Sequence, residues 1–377
     1  MNAVPAYYFD HNATTPVSPE VFQAMAPLMT QVFGNASSIH QFGQEARRAL
    51  DRARRSVATM LGAKAEEIVF TSGGTEADNM AIFGAGGHVI TTTVEHPAVL
   101  QAAAQLPSAT FVPVDSRGVV DPEAVRAAIR PDTKLISVMH VNNELGVIQP
   151  VHEIARIAHD AGVLFHSDGV QAAGKITLDV KELGVDLYSI SAHKIYGPKG
   201  MGALYVRKGV DVRPLLYGGP HERKMRAGTE NVAGAAGFGR AAEWVIEESA
   251  AEAARQATLR DRLQQEILAR VAGAHVNGAD VPRVGNTSNI RFDGIDSEPL
   301  LIALDLKGFA VSSGSACSSG ATEPSHVLAA IRLTREQARS SVRFSLGRSN
   351  TVDQVDALID AVVQVVSRLR KLAPAYV

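Results

Sequence analysis

The sequence predicts an α/β fold in which a mostly parallel sheet of seven strands is covered by helices. Three observations predict it: seven short runs rich in β-branched residues lie between residues 67 and 206, helical patterns separate most of them, and polar residues follow their ends. Strands separated by helices pair in parallel, because parallel neighbours need a long crossover connection. The runs are "EIVFTS", "HVITTT", "TFVPV", "KLISVMHV", "VLFHSD", "DLYSIS" and "GALYV".

Two of the helical patterns carry clear start signals. At residues 18–20 ("SPE") and 121–123 ("DPE"), a Ser or Asp precedes a proline and an acid. The first residue suits an N-cap, and the proline suits the first helical position because its missing N–H is not needed there. We therefore expect helices to begin directly after Ser18 and Asp121.

The pattern changes in the second half of the chain. From about Gly228 it becomes long and helical through "AAEWVIEESAAEAARQATLRDRLQQEILARV", and the stretch 355–369 keeps apolar residues at helical spacing. A long helix suits a spacer between two domains. We predict a large domain over residues 16–247 and a smaller α+β domain formed by residues 1–15 with 248–377.

Composition limits the class of protein and its partners. The 377 residues carry 37 basic and 39 acidic side chains, so no overall field attracts nucleic acid or an anionic membrane. No apolar run reaches the roughly 20 residues that a membrane-spanning helix needs. A single cysteine excludes an intrachain disulfide, and the start "MNAVPAYYFDHN" lacks the charged and apolar regions of a signal peptide. We expect a cytoplasmic enzyme with small-molecule or protein partners.

Ligands of open α/β sheets bind outside the carboxyl ends of the strands, so the residues that follow each strand are the candidates for a site. After "EIVF" comes a glycine-containing turn, residues 71–76, whose N–H groups at a helix start could hold a phosphate. Alone, such a stretch is more often a plain turn. Other strand ends supply further candidates, which are His96, Asn143, Asp168, Gln171, His193 and Lys194.

Lys194 would ordinarily be interpreted as a solvated surface lysine. The other strand-end residues change that interpretation. Asp168 lies at another strand end, and the sequence also offers a helix start that could hold a phosphate and a histidine. Pyridoxal phosphate requires such a set: a lysine for the Schiff base, an aspartate for the pyridine nitrogen and a helix start for the phosphate.

Cys317, the only cysteine, lies in "VSSGSACSSG", residues 311–320. A lone cysteine is usually a small packing residue. Serines and glycines bury little apolar surface, so this stretch predicts an exposed loop and an accessible thiol. Cys317 is therefore a candidate nucleophile.

The motifs, taken together in order, carry a family resemblance. The chain resembles the cysteine desulfurases of the NifS/IscS type, in the class V aminotransferase family of fold-type I pyridoxal-phosphate-dependent transferases. The resemblance extends over nearly the whole chain. It is carried by "FDHNATTP", "FGNASSIHQFG", "VFTSGGTEADN", "TTTVEHPAVL", "MHVNNELG", "HSDGVQAAGK", "SAHKIYGPKG", "HERKMRAGTEN", "SSGSACSSG" and "VRFSLGR".

The resemblance implies that the protein binds pyridoxal 5'-phosphate. Lys194 would carry the cofactor, Asp168 would contact its ring nitrogen, and Gln171 its ring hydroxyl, with Asn143 beside it. His96 would stack on the ring and relay protons. The implied phosphate ligands are Gly74, Thr75, Ser191 and His193, with Thr229 reaching over from the partner subunit of a homodimer. The implied substrate contacts are Arg343 at the carboxylate, Asn143 and Asn12.

The resemblance also implies a reaction. L-cysteine would be converted to L-alanine, with its sulfur transferred to Cys317 as a persulfide and then to an acceptor protein such as an iron–sulfur scaffold. Two alternative functions of the same fold stay open, those of a selenocysteine lyase and of a class V aminotransferase. An alternative of another class is a non-catalytic sulfur-relay or scaffold protein. No metal is expected, because His152 and His159 lie seven residues apart and a zincin helix needs four.

Overall fold

A computed structural model describes residues 6–314 and 324–372 of the chain. Its strands are β1 Tyr7–Tyr8, β2 Ile68–Thr71, β3 His88–Thr92, β4 Ala109–Val112, β5 Thr133–Ser137, β6 Leu164–Asp168, β7 Leu187–Ser191, β8 Gly202–Val206, β9 Ala274–Val276, β10 Thr287–Phe292, β11 Phe309–Ala310 and β12 Ser341–Ser345. Its α-helices are α1 Pro19–Thr30, α2 Gln41–Met60, α3 Gly74–Ala85, α4 Pro97–Ala104, α5 Pro122–Ala127, α6 Val151–Asp160, α7 Val180–Leu183, α8 Val232–Arg270, α9 Ser297–Asp305, α10 His326–Ala330, α11 Arg335–Arg339 and α12 Val352–Leu372.

Seven strands form the main sheet, in the order β2-β8-β7-β6-β5-β3-β4. They are the seven runs that the sequence indicated, so the predicted α/β fold is confirmed. The sheet is parallel except for β8, which is antiparallel to both β2 and β7. Residues 192–201, which connect β7 to β8, contain a 3-10 turn and no α-helix. Without a crossover helix the chain reverses, and β8 therefore runs against β7.

Both faces of this sheet are buried. Ile68 and Phe70 of β2 point into one apolar cluster, with α2, α6 and α8, whereas Val69 points into another, with α3 and α4. Successive strand residues face opposite sides, so a sheet covered on both faces needs apolar residues at every position. This explains why β2 has apolar residues at three successive positions, Ile68, Val69 and Phe70.

The helices begin where the sequence predicted. Ser18 caps α1 and Asp121 caps α5, each accepting a hydrogen bond from a first-turn N–H, with a proline just inside the helix. Both predicted helix starts are confirmed.

A second apolar core lies beyond the main sheet. It is built on the antiparallel sheet β12-β10-β9, on α9 and α12, and on the C-terminal half of α8. The 39 residues of α8 bury side chains from Gly234 to Val245 and from Gln256 to Ile267, with none buried between. The domain boundary after residue 247 stays a prediction, and it would fall within this unburied middle of α8.

The N-terminal segment joins both parts of the molecule. Strand β1 pairs in parallel with β11 near the second core, and Asp10 bridges to Ser345. A few residues later, the Thr15 N–H donates to the carbonyl of His193 at 2.9 Å. Residues 10–15 therefore cross the carboxyl ends of the main sheet.

Candidate active site

A cavity of about 380 Å³ opens at the carboxyl ends of the main-sheet strands. Eleven of the thirteen residues that the sequence nominated line it. They are Asn12, Gly74, Thr75, His96, Asn143, Asp168, Gln171, Ser191, His193, Lys194 and Arg343. The cavity therefore brings together residues that are more than 330 positions apart in the chain.

Strand ends and helix starts position these side chains. Asp168 is the last residue of β6, and Ser191 is the last residue of β7, just before the 3-10 turn that ends at Lys194. Gly74 begins α3, and His96 is the N-cap of α4. These elements are anchored in the buried sheet, so the polar residues at their ends converge on one edge.

The Lys194 ammonium lies against the N-terminal segment. Its Nζ donates to the backbone carbonyls of Asn12 at 2.5 Å and Ala13 at 2.7 Å. The turn that carries it is pinned from the same side, because Thr15 Oγ1 donates to the His193 carbonyl and accepts from the Tyr196 N–H. The position of Lys194 is therefore fixed by residues near the chain start.

Asp168 is a buried carboxylate at the floor of the cavity. Its Oδ1 accepts a hydrogen bond from the Val170 N–H at 2.9 Å. Burial raises the pKa of Asp168 to about 6, although the Val170 hydrogen bond and the charge of Lys194 both oppose the rise. An ionised carboxylate there would be stabilised by a cation placed next to it.

His96 is neutral near pH 7. Burial lowers its pKa to about 4, with the positive charges of Lys194 and His326 adding to the effect. Its Nδ1 accepts from the Ala98 N–H at 3.1 Å, as an N-cap does. A neutral imidazole with an acceptor at Nδ1 carries its proton on Nε2. His96 can therefore donate a hydrogen bond through Nε2.

The end of the cavity near α3 is suited to an anion. The N–H groups of Gly74 and Thr75 precede the first intrahelical bond of α3, which Ala77 donates to Gly73 O at 3.2 Å. Ser191 and His193 lie beside them along the same wall. A Cβ at position 74 would lie 2.7 Å from Cγ2 of Val170. The glycine therefore allows the start of α3 to lie close to Val170.

Arg343 enters the cavity from the second sheet. It lies in β12 and is only 2% exposed. Its Nη2 donates to Asp10 Oδ1 at 2.6 Å, and its Nη1 donates to the carbonyls of Asn143 and Gly314. Asp10 therefore already pairs with the guanidinium of Arg343. A substrate carboxylate would share this guanidinium with Asp10.

Two nominated residues are not among those that line this cavity. Thr229 lies on the exposed stretch before α8 and lines a separate cavity of about 160 Å³, beside Glu222 and Arg226. Cys317 lies outside the described residues. The proposed contact of Thr229 with a partner subunit and the role of Cys317 both stay predictions.

Sequence reasoning missed three acidic or basic side chains in and around the cavity, namely Asp10, Asp78 and Lys175. Asp78 lines the cavity from α3, and its burial, together with the negative charge of Asp168, raises its pKa well above the usual value. It follows Gly74 by four positions, so helical spacing could have placed it on the same face. The same spacing relates Lys175 to Gln171.

The residues present fit pyridoxal phosphate. Asp168 offers a buried carboxylate for a protonated ring nitrogen, and the start of α3 with Ser191 and His193 offers donors for a phosphate. The Lys194 Nζ lies in the same cavity, within reach of a carbonyl group on the ring. Each chemical part of the cofactor thus meets a residue of the matching type.

Comparisons with known proteins agree with this geometry. Residues 7–358 match the family model described as Aminotransferase class-V. The chain is 47% identical over 378 residues to a cysteine desulfurase IscS from Dictyoglomus turgidum, covering 97% of this chain and 96% of that protein. It is also 47% identical to a cysteine desulfurase IscS from Methanosarcina thermophila, covering 98% and 94%.

Solved structures are similar over the same extent. A NifS-like protein superposes with a TM-score of 0.89 at 37% identity, covering 96% of this chain and 100% of the other. A NifS-like protein from Rickettsia africae has a TM-score of 0.89 at 33% identity, covering 96% and 99%.

The fold and the cavity together are those of a class V aminotransferase, one of the groups of enzymes that work with pyridoxal phosphate. The chain belongs to the aminotransferase class V family, and its near full-length relatives are cysteine desulfurases of the NifS/IscS type. The resemblance found in the sequence is confirmed.

Proposed function

We propose that this protein is a pyridoxal-phosphate-dependent cysteine desulfurase. It converts L-cysteine to L-alanine and transfers the sulfur to Cys317 as a persulfide, which then passes to an acceptor. One observation carries the proposal: eleven residues nominated by the sequence, from Asn12 to Arg343, line a single cavity at the carboxyl edge of the sheet.

The chain holds the cofactor through three groups of residues. Lys194 would bond to its carbonyl carbon, Asp168 would pair with its ring nitrogen, and the start of α3 would bind its phosphate together with Ser191 and His193. When bound, pyridoxal phosphate withdraws electrons from the α-carbon of the substrate, which makes the α-proton acidic and the sulfur electrophilic.

The substrate is held and oriented by Arg343. A guanidinium binds a carboxylate with two parallel hydrogen bonds, and Arg343 Nη2 already binds the carboxylate of Asp10 at 2.6 Å. Asn143 and Asn12 lie beside it on the same wall of the cavity. The carboxylate of L-cysteine is therefore fixed at the end of the cavity near β12.

Proton movements belong to Lys194 and His96. The Nζ of Lys194 would accept the α-proton of the substrate. Because His96 is neutral, its imidazole can take up a proton and pass it on, as a proton relay does. The pKa of His96, about 4, keeps it in this form across the neutral range.

Cys317 is the nucleophile of the sulfur transfer. Its thiolate attacks the sulfur of L-cysteine, an S–S bond forms, the C–S bond breaks, and the carbon product gains a proton to become L-alanine. The described residue Gly314, three positions before Cys317, lines the cavity. The persulfide is then consumed by a thiol acceptor, with an iron–sulfur scaffold protein as the proposed partner.

We also propose a homodimer, in which Thr229 contacts the phosphate in the partner subunit. Thr229 is exposed and lies outside the cavity of its own chain, which is the arrangement that such sharing requires. Within the described residues, no helix is long and apolar enough to cross a membrane. A cytoplasmic location is part of the proposal.

Product analysis tests the function. The cofactor-loaded protein is incubated with L-cysteine and a thiol reductant, and alanine and sulfide are counted beside a Cys317→Ala variant. We expect equal amounts of both products from the wild type, and neither from the variant, which should keep its visible cofactor band. Undiminished products from the variant would exclude Cys317 as the nucleophile.

The same assay separates the alternatives. A class V aminotransferase would release a keto acid and leave the cofactor in its amino form. A selenocysteine lyase would turn over selenocysteine far better than cysteine. A relay or scaffold protein would gain no visible band with added cofactor.

A further inference from the structure

The side-chain amide of Gln171 is held at both ends. Its Nε2 donates to the backbone carbonyl of Asn12 at 2.9 Å, and its Oε1 accepts a hydrogen bond from Nζ of Lys175. Gln171 also lines the cavity, and the family resemblance implies that it contacts the ring hydroxyl of the cofactor. The orientation of this amide decides whether the cavity meets a donor or an acceptor at position 171.

Lys175 is the residue that settles the orientation. It is partly buried on the turn that follows β6, and its Nζ also donates to Asn12 Oδ1 at 2.8 Å. Burial lowers the pKa of Lys175 well below its usual value, and the charges of Lys194 and Arg343 act in the same direction. Ammonium has three N–H groups and a neutral amine has two, so in either form Lys175 can donate to both oxygens.

The reverse orientation of the amide is unfavourable. A flipped Gln171 would turn its NH₂ group toward the donating Nζ of Lys175 and its oxygen toward the carbonyl of Asn12. Two oxygens would then face each other at Asn12, and the Lys175 N–H would lose its acceptor at position 171, and buried polar groups without partners are costly. With the amide as it stands, Nε2 gives one of its two hydrogens to Asn12 and has a second for the cavity.

We propose that Lys175 is a positioning residue that fixes the Gln171 amide with an N–H donor toward the ring oxygen of pyridoxal phosphate. This inference rests on the proposed function, which supplies the ligand. The ring oxygen carries negative charge when ionised, and a charged acceptor forms a stronger hydrogen bond than a neutral one. A donor at position 171 holds the ring, whereas an acceptor there repels it.

The first test removes the donor at position 175. The dissociation constant of pyridoxal phosphate is measured by absorbance titration of the cofactor-free protein, for the wild type and for Lys175→Met. We expect the variant to bind the cofactor about tenfold more weakly or worse, as the loss of a hydrogen bond to a charged acceptor predicts. The matched control is Lys181→Met, an exposed lysine on α7, which should bind the cofactor as the wild type does.

A double-mutant cycle decides whether Lys175 acts through Gln171. Gln171→Ala removes the amide that Lys175 orients, so Lys175→Met should weaken cofactor binding about tenfold in the wild-type background and less than about threefold in the Gln171→Ala background. An equal loss in both backgrounds overturns the proposal, because Lys175 would then act through Asn12 or through the fold.

A second variant tests the donor without touching Lys175. Gln171→Glu has the same shape, but its carboxylate can only accept, and it would pair with Lys175. We expect it to lose at least as much cofactor affinity as Gln171→Ala. Wild-type affinity in Gln171→Glu would overturn the proposal, even where Lys175→Met fails to fold.

The two proposals fail in different ways. Absence of any cofactor binding by the wild type overturns the proposed function and this inference together. Binding by the wild type with no coupling in the cycle overturns the inference alone. Binding with coupling, but with neither alanine nor sulfide formed from L-cysteine, supports the inference and contradicts the proposed reaction.

Discussion

The pKa of Asp168 links the electrostatics of the cavity to the binding of a cofactor. Its pKa is raised to about 6 by burial. The ionised form is the one that pairs with a protonated ring nitrogen, and lowering the pH through 6 protonates the carboxyl in the cofactor-free protein. We therefore expect cofactor affinity to fall as the pH drops below about 6, measured by absorbance titration of the cofactor-free protein.

Asp168→Asn provides the control for that pH profile. The variant cannot ionise at this position, so it should bind the cofactor about tenfold more weakly at about pH 8 and lose the change in affinity near pH 6. If Asp168→Asn kept the wild-type pH profile, the change in cofactor affinity near pH 6 would belong to another group.

Arg343 allows a prediction about the substrate. Arg343→Lys keeps a positive charge beside Asp10, so the fold should tolerate it, but an ammonium lacks the planar fork that binds a carboxylate with two bonds. We expect KM for L-cysteine to rise about tenfold while the affinity for pyridoxal phosphate is unchanged. Steady-state kinetics and cofactor titration measure the two quantities, and equal losses in both would contradict a role confined to the substrate.

The sequence predicted most of the site because strand ends and helix starts are local features. Asp168, Ser191 and Lys194 could be found from the strand patterns that precede them. Asp10 could not, because its partner Arg343 comes 333 residues later and meets it only through tertiary packing. Lys175 is only four residues from Gln171, but it was missed because their side-chain contact lies within a turn, where no periodic pattern indicates it.

At the level of elements, residues 222–224 form an unusual turn. Glu222, Arg223 and Lys224 all have positive φ angles, of 42°, 57° and 71°, although none is glycine. Glu222 is held there by a buried ion pair with Arg54, in which both guanidinium Nη atoms donate at 2.6 Å, and by the Phe70 N–H. The sequence did not predict this turn, because long-range hydrogen bonds rather than residue type impose it.

Lys224→Gly should stabilise the protein. Lys224 is exposed, and a left-handed conformation costs a non-glycine residue about 1 kcal/mol. We expect the free energy of unfolding to rise by about that amount, measured by urea denaturation.

Arg223→Gly is the matched control for this turn. It relieves a similar φ angle, but it removes the hydrogen bond that Arg223 donates to Ile68 O at 2.6 Å. Its gain should be smaller or absent. A larger gain for Arg223→Gly than for Lys224→Gly would contradict the backbone explanation.

At the same level, pattern reasoning found the seven strands of the main sheet and missed the strands of the second core, β9, β10 and β12, together with the short strands β1 and β11. The seven runs of the main sheet were predicted, but β1 and β11 have two residues each, too few for a period of alternation. The antiparallel direction of β8 was also not predicted. It follows from the connection after β7, which carries the Lys194 turn in place of a helix.

For the whole molecule, the cavity has walls from both cores and from the N-terminal segment. Pyridoxal phosphate should therefore bind the folded chain and not the unfolded one. At a free concentration about 100 times its dissociation constant, it should raise the free energy of unfolding by about 2.7 kcal/mol, measured by urea denaturation with and without cofactor. The same concentration of pyridoxal phosphate should raise the free energy of unfolding of Asp168→Asn by less. An equal rise for the wild type and the variant would mean that the cofactor binds away from Asp168.

The middle of α8 has a mechanical consequence. Between Val245 and Gln256 the helix buries no side chain, and Arg255 attaches this stretch to the loop after β12 by hydrogen bonds to the carbonyls of Asn350 at 2.6 Å and Gly347 at 3.1 Å. Helix without a packed face opens at a lower free energy than helix within a core. The amide protons of this stretch should therefore exchange with deuterium sooner than those of either end of α8. Lys194 lies with the main sheet and Arg343 with the second core, so the distance between them depends on the hydrogen bonds beside the cavity, from Arg343 Nη1 to the Asn143 carbonyl and from Asn12 Nδ2 to Thr287 Oγ1, rather than on the middle of α8.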